Sequence, residues 1–107
     1  MININGEAWR IFLVSPNHPM LKREEGKYAL GVCDDVLKSI YICDALSPQK
    51  TKKVLCHELT HAAMFSYNVG LTEEQEELLA DLIATYGQEI IIETNRIFNR
   101  IKREGFL

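Results

Sequence analysis

Hydrophobic residues in the first half of the chain fall in short runs bounded by turn-forming residues. Ala8 to Val14 is rich in apolar residues and ends at Ser15-Pro16-Asn17, which breaks regular structure. A strand is predicted there, with a short helix as the alternative. Tyr28 to Cys33 and Ser39 to Cys43 are β-prone runs joined by a polar loop, the pattern of a hairpin. Together these runs predict a small sheet of three strands, mostly antiparallel.

The second half of the chain has the pattern of helices. Ser47 can cap the free N–H groups of a first turn, and Pro48 suits the first helical position because its missing donor is harmless there. This first helix is predicted to run to about Tyr67. Gly70 is predicted to stop it.

A second, longer helix is predicted to begin at Thr72, which forms a capping box with Gln75. Apolar residues then recur at helical spacing as far as Arg103, which would make the helix long for so small a protein. We therefore expect a bend or break near Gly87. The residues of this stripe are Leu79, Ile83, Tyr86, Ile90, Ile97 and Ile101.

The first predicted helix carries the run His57-Glu58-Leu59-Thr60-His61, an H-E-x-x-H motif. Residues four apart lie on one face of a helix, so the imidazoles of His57 and His61 can bind one Zn²⁺ ion. Glu58 is placed to act as general base on a zinc-bound water, whose pKa the metal lowers to about 7. The motif predicts metal-assisted hydrolysis with zinc as cofactor. The alternative is a pair of core histidines satisfied by backbone groups or carboxylates.

A catalytic zinc site needs a third protein ligand, and the acidic start of the second predicted helix offers candidates. Glu77 and Asp81 stand four apart on a face with two alanines, so this face can approach the histidine helix closely. Carboxylates there are predicted to be desolvated unless they meet a metal or a histidine N–H. We assign Glu77 as the third ligand and Asp81 as the acceptor for the distal nitrogen of His57. The reversed roles stay open, as does Glu76 as ligand, although the helix dipole also explains Glu76.

Composition narrows the class of protein. The 107 residues, 47% of them hydrophobic, suffice for one core but not for two, so residues 1–107 are predicted to form a single domain. With 12 Lys and Arg against 15 Asp and Glu, the formal charge of −3 argues against direct binding to nucleic acid.

The chain lacks a long apolar run and a secretion signal, so we expect no membrane span and a cytoplasmic location. Three cysteines without C-x-x-C spacing indicate reduced thiols.

The H-E-x-x-H motif and the later run Glu77-Leu78-Leu79-Ala80-Asp81-Leu82-Ile83-Ala84 together resemble the gluzincin plan of zinc metallopeptidases. Among these the chain most resembles the short ImmA/IrrE-type metallopeptidases of bacteria, phages and mobile elements. The resemblance implies an α+β, zincin-like minimal domain, with a small sheet packed on the H-E-x-x-H helix and a long C-terminal helix. It also implies a cytosolic peptidase, with a phage or prophage origin, that cuts a regulatory protein such as a helix-turn-helix repressor.

We therefore predict a zinc metallopeptidase in which Glu58 activates the zinc-bound water for attack on a protein or peptide substrate. A zinc-stabilised, non-catalytic protein-binding module is the alternative. The intact Glu58 argues against that module, because a structural site uses four closed ligands and has no use for a free base. Hydrolysis of a non-peptide amide is a third hypothesis. The sequence assigns neither an oxyanion-stabilising residue nor an oligomeric state.

Overall fold

The computed structural model describes residues 1–105 as an α+β fold, in which a four-stranded mixed sheet precedes three helices. The strands are β1 (Ile2–Ile4), β2 (Glu7–Val14), β3 (Gly31–Asp34) and β4 (Ser39–Cys43). Their spatial order is β1-β2-β4-β3, with β1 and β3 at the edges. The pairs β1–β2 and β3–β4 are antiparallel, and β2 and β4 run parallel. The α+β class and the mostly antiparallel sheet are confirmed, but the predicted number of three strands is wrong.

The additional strand, β1, reaches β2 through a two-residue turn at Asn5 and Gly6. Both residues have positive φ, 49° and 81°, as a type I′ turn requires, and Ile4 pairs with Glu7 across it. Asn-Gly between extended apolar residues is the strongest short-range signal for a hairpin. The predicted first strand begins at Ala8 and corresponds to β2, so it does not include β1.

The helices are α1 (Pro48–Ser66), α2 (Glu73–Leu82) and α3 (Gln88–Arg103), with a π-helical turn over Ile83–Gly87. The predicted cap of α1 is present, because the Ser47 hydroxyl accepts the Lys50 N–H. The predicted capping box of Thr72 and Gln75 begins α2. None of these helices, within residues 1–105, combines the length and the apolar sequence needed to cross a bilayer.

The π-helical turn stands where the sequence predicted a bend or break near Gly87. A π turn takes one residue more than an α-helical turn, so the α-helical hydrogen-bond ladder is interrupted there. The chain therefore continues as two α-helical segments, α2 and α3, rather than as one uniform helix.

The first helix ends in a Schellman motif at Asn68 rather than at Gly70 as predicted. Asn68 has a left-handed conformation, with φ of 54°, and its N–H donates to the Phe65 carbonyl at 3.1 Å. The next N–H, of Val69, donates to the Met64 carbonyl at 2.9 Å. Asparagine adopts this conformation more easily than other residues that carry a Cβ atom. The tight end of α1 lets α2 return along it.

One face of the sheet packs against α1 around a core of Trp9, Ile40, Ile42 and Ala62. Ile40 and Ile42 are two residues apart in β4, so both point to the same face of the sheet. The indole N–H of Trp9 donates to Ser66 Oγ at 2.8 Å inside this core. The hydrogen bond joins β2 to the end of α1 and so helps to orient the helix that carries the H-E-x-x-H motif.

Replacing Ser66 with alanine removes the acceptor of the buried Trp9 N–H. Because the unpaired N–H keeps its desolvation cost, we expect the free energy of unfolding to fall by about 1–3 kcal/mol. Ser15→Ala, which removes an exposed hydroxyl, serves as the control and should change it by less than about 0.5 kcal/mol. Chemical denaturation measures both variants, and equal losses would contradict a special role for the buried bond.

Candidate metal centre

Helix α1 brings both histidines of the H-E-x-x-H motif to one point. His57 and His61 are one helical turn apart, and their Nε2 atoms are separated by 3.2 Å. Glu77 of α2 approaches both rings, with Oε2 3.3 Å from His57 Nε2 and Oε1 2.9 Å from His61 Nε2. Each of the three residues thus offers one ligand atom to a cluster small enough to hold a single metal ion.

The other nitrogen of each ring is held by a carboxylate. His61 Nδ1 lies 2.6 Å from Glu76 Oε1, and His57 Nδ1 lies 3.0 Å from Asp81 Oδ1. A carboxylate only accepts hydrogen bonds, so a proton on each Nδ1 would face Glu76 or Asp81 and would leave both Nε2 lone pairs available to a metal ion. In that tautomer the two Nε2 lone pairs and the Glu77 carboxylate would face one another, and a bound cation would offset their repulsion.

The spacing and chemistry of these donor atoms fit zinc. Two ligands about 2.1 Å from a tetrahedral ion lie about 3.4 Å apart. The two Nε2 atoms are 3.2 Å apart, and the two oxygens of Glu77 lie 2.9 and 3.3 Å from them. Two imidazoles and one carboxylate also form the ligand set of catalytic zinc sites that keep one position open. The residues that would hold the ion are His57, His61 and Glu77.

The structure places every residue proposed for this site around one cleft. The surroundings of three carboxylates differ from those that the sequence predicted. The sequence explained Glu76 by the helix dipole, whereas its side chain is only 18% exposed and contacts His61. Glu77 and Asp81 were expected to be desolvated unless they met a metal or a histidine N–H; both contact histidine nitrogens, and their side chains are 53% and 70% exposed. A rule of metal sites could have indicated Glu76, because each ligating histidine needs its own acceptor and Asp81 satisfies only one.

Comparison with known protein families gives one match. The family model of the IrrE N-terminal-like domain, peptidase family M78, matches residues 18–103, which is most of the chain. The chain belongs to this family. Neither a curated protein nor a solved structure gives a significant match. The resemblance predicted from the two motifs is thereby confirmed, and the matched region includes both of them.

In this M78 domain the cluster of His57, His61 and Glu77 opens into a cleft of about 790 Å³, which Glu58 also lines. Glu58 is only 6% exposed, and no salt bridge within residues 1–105 engages it. Burial raises the pKa of its carboxyl, His57 and His61 oppose the rise, and Glu77 adds to it. A buried carboxylate without a salt-bridge partner is available to accept a proton inside the cleft.

The edge strand β3 forms a second wall of the cleft. Its residues Gly31, Val32 and Cys33 line the cleft, and in the described part of the chain β3 pairs only with β4. An edge strand presents unpaired N–H and C=O groups on its free side. Burial and the nearby Glu58 raise the pKa of the Cys33 thiol to about 12, so this side chain is a neutral wall residue rather than a thiolate ligand.

Gly31 determines how closely β3 approaches Glu58. A Cβ atom at this position would lie 2.6 Å from Val54 Cγ1 and 3.1 Å from Glu58 Cγ. The first distance is a clash, and valine has little rotamer freedom on a helix with which to avoid it. Glycine therefore allows strand and helix to enclose the cleft at their present separation.

We expect Gly31→Ala to push β3 away from α1 and to lower the free energy of unfolding by about 1–3 kcal/mol. Gly70→Ala is the matched control, because Gly70 has no positive φ and no atom within 4 Å of its added Cβ. That variant should stay within about 0.5 kcal/mol of the wild type. Thermal or chemical denaturation of both compares them, and a neutral Gly31→Ala would show that the close approach of β3 is not required.

Proposed function

We propose that this M78 domain is a zinc-dependent peptidase in which Glu58 acts as general base. The observation that carries the proposal is the convergence of His57, His61 and Glu77 in the cleft that Glu58 lines. Membership of a peptidase family supports the reaction class. The ligand set supports zinc rather than magnesium or calcium, which prefer oxygen ligands.

Each side chain of the centre has a separate task in this proposal. His57, His61 and Glu77 hold the ion, while Asp81 and Glu76 keep the two imidazoles in the tautomer that presents Nε2. Zinc bound there supplies Lewis acidity, which acidifies water and polarises a carbonyl group. Glu58 takes the proton of the attacking water on a carboxylate oxygen and returns it to the departing amine nitrogen. Its raised pKa makes the carboxylate a stronger base, which favours the first of these transfers, from water to Glu58.

The wall formed by β3 supports a peptide as the substrate rather than a small amide. An extended peptide can add to the free edge of β3 as a further strand, with main-chain hydrogen bonds that do not depend on its sequence. This pairing would run beside Gly31, whose missing side chain brings the strand close to Glu58. We extend the proposal, on the family resemblance, to a cytoplasmic regulatory protein of the helix-turn-helix repressor type as substrate.

The ligand assignment predicts a graded loss of metal. His57→Ala, His61→Ala and Glu77→Ala should each lose stoichiometric zinc, whereas Glu76→Gln should retain it with an affinity about 10–100-fold lower. Metal analysis of the purified proteins and competition with a chelator measure this order. Glu74→Ala is the control, since Glu74 lies in the same acidic turn but does not line the cleft. Stoichiometric zinc in Glu77→Ala would move the third ligand to Asp81 or Glu76.

The catalytic role is tested with Glu58→Gln, which removes the base but keeps the shape of the side chain. We expect this variant to bind zinc as the wild type does and to cleave a quenched fluorescent peptide library at least about 100-fold more slowly. Glu74→Gln should leave the rate unchanged. Removal of zinc by a chelator should abolish cleavage, and added zinc should restore it.

Two outcomes would contradict the proposed function. A Glu58→Gln variant that cleaves at the wild-type rate would exclude Glu58 as the base. A wild-type protein that binds zinc and partner proteins but hydrolyses no peptide would support the non-catalytic binding module instead.

A further inference from the structure

Helix α3 projects from the rest of the molecule. Residues 88–105 are all exposed, and the described chain measures 57 Å along its longest axis against 31 and 28 Å along the others. The 16 residues of α3 alone account for about 24 Å of length. Isolated helices of this length are marginal in water, so their stability usually comes from packing of an amphipathic face.

Such a face is present on α3 and has no cover within residues 1–105. At 100° per residue, Ile90, Ile97 and Ile101 fall within an arc of about 40°, and Ile91 and Phe98 widen the stripe on one side. These five side chains are 36% to 60% exposed. A contiguous apolar stripe of this kind on a polar helix marks an interaction surface.

The order of charged residues along one edge of this stripe favours a second copy of the same helix as its partner. Glu89, Glu93, Arg96 and Arg100 follow one another along the same edge of the stripe, so within α3 the first half of that edge is acidic and the second half is basic. Just beyond the helix, Glu104 forms an exposed ion pair with Arg100 at 3.1 Å. In an antiparallel pair related by a two-fold axis, this edge of one helix meets the same edge of the other in reverse order. Acidic and basic halves then face each other. A parallel pair would instead oppose this edge to Gln88, Asn95 and Lys102.

We propose that α3 pairs antiparallel with α3 of a second copy of this chain. A register that sets Ile90 against the partner's Ile101 and Thr94 against the partner's Ile97 keeps the apolar stripes in contact over their whole length. In the same register, Glu93 lies between the partner's Arg96 and Arg100. In the single chain, Glu93 and Arg96 form an exposed ion pair within one helix, at 2.7 Å. Such a pair is weak enough to exchange partners when two helices associate.

Sedimentation of the full chain tests the apolar stripe. We expect a dimer for the wild type and a dissociation constant at least about 100-fold higher for Ile97→Asp, which buries an unpaired charge at the interface. Ile92→Asp is the matched control, because Ile92 is also exposed but lies on the opposite side of the helix and should leave the dimer intact. Zinc content, unchanged in both variants, shows that the body of the protein remains folded.

Charge reversal tests the antiparallel direction. Glu89→Lys with Glu93→Lys should weaken the dimer at least about tenfold at low salt, and adding Arg96→Glu with Arg100→Glu should restore it. A wild-type chain that stays monomeric up to its solubility limit would overturn the proposal. So would a dimer that Ile97→Asp leaves intact, or a quadruple variant that remains as weak as the double variant.

Discussion

The site depends on three side chains, those of His57, His61 and Glu77, whose nitrogen and carboxylate oxygen atoms converge on one point. The Nε2 atoms of His57 and His61 and the carboxylate of Glu77 are 2.9 to 3.3 Å apart. Glu76 and Asp81 approach the Nδ1 atoms of the two rings, at 2.6 and 3.0 Å, so protons held there would leave both Nε2 atoms free for a cation. The fold therefore orients both rings toward the position that a metal ion would occupy.

The rest of the domain can be understood as the support of this arrangement. The imidazoles share a face because α1 is a regular helix through the motif, and the bond from Trp9 to Ser66 joins the end of that helix to the sheet. The Schellman turn at Asn68 returns the chain so that the first turns of α2 place Glu76 and Glu77 over the histidines. Gly31 then brings the edge of the sheet to the same place. The cluster of His57, His61 and Glu77, the buried Glu58 and a free strand edge thus meet in one cleft.

The sequence predicted the parts of this site that follow from short-range geometry. Spacing of four residues on a helix places His57 beside His61, and it also places Glu77 and Asp81 on one face, whatever the rest of the fold does. It could not predict how far α2 is rotated about its own axis against α1. That rotation places Glu76 next to His61 and leaves Asp81 largely open to solvent, because the cleft runs along this side of the helix.

The two errors in the predicted fold concern local turn signals instead. Gly70 was chosen as the stop of α1 because glycine favours left-handed backbone, but Asn68 adopts that conformation two residues earlier. The strand β1 was missed although Asn5-Gly6 encodes its turn, since three residues are too short a run to show an alternating pattern. Both signals were local and present in the chain.

The π-helical turn explains why one continuous apolar pattern serves two different surfaces. The sequence places Leu79, Ile83, Ile90 and Ile97 on a single stripe, as if one helix buried them together. One extra residue in a turn rotates everything after it by about 100°, so the stripe of α3 no longer continues the packed face of α2. Leu79 and Ile83 are half-buried, whereas Ile90 and Ile97 are exposed. The segment that carries Glu76, Glu77 and Asp81 is thereby separated from the exposed stripe of α3, and the proposed association through α3 would leave the cluster of His57, His61 and Glu77 in place.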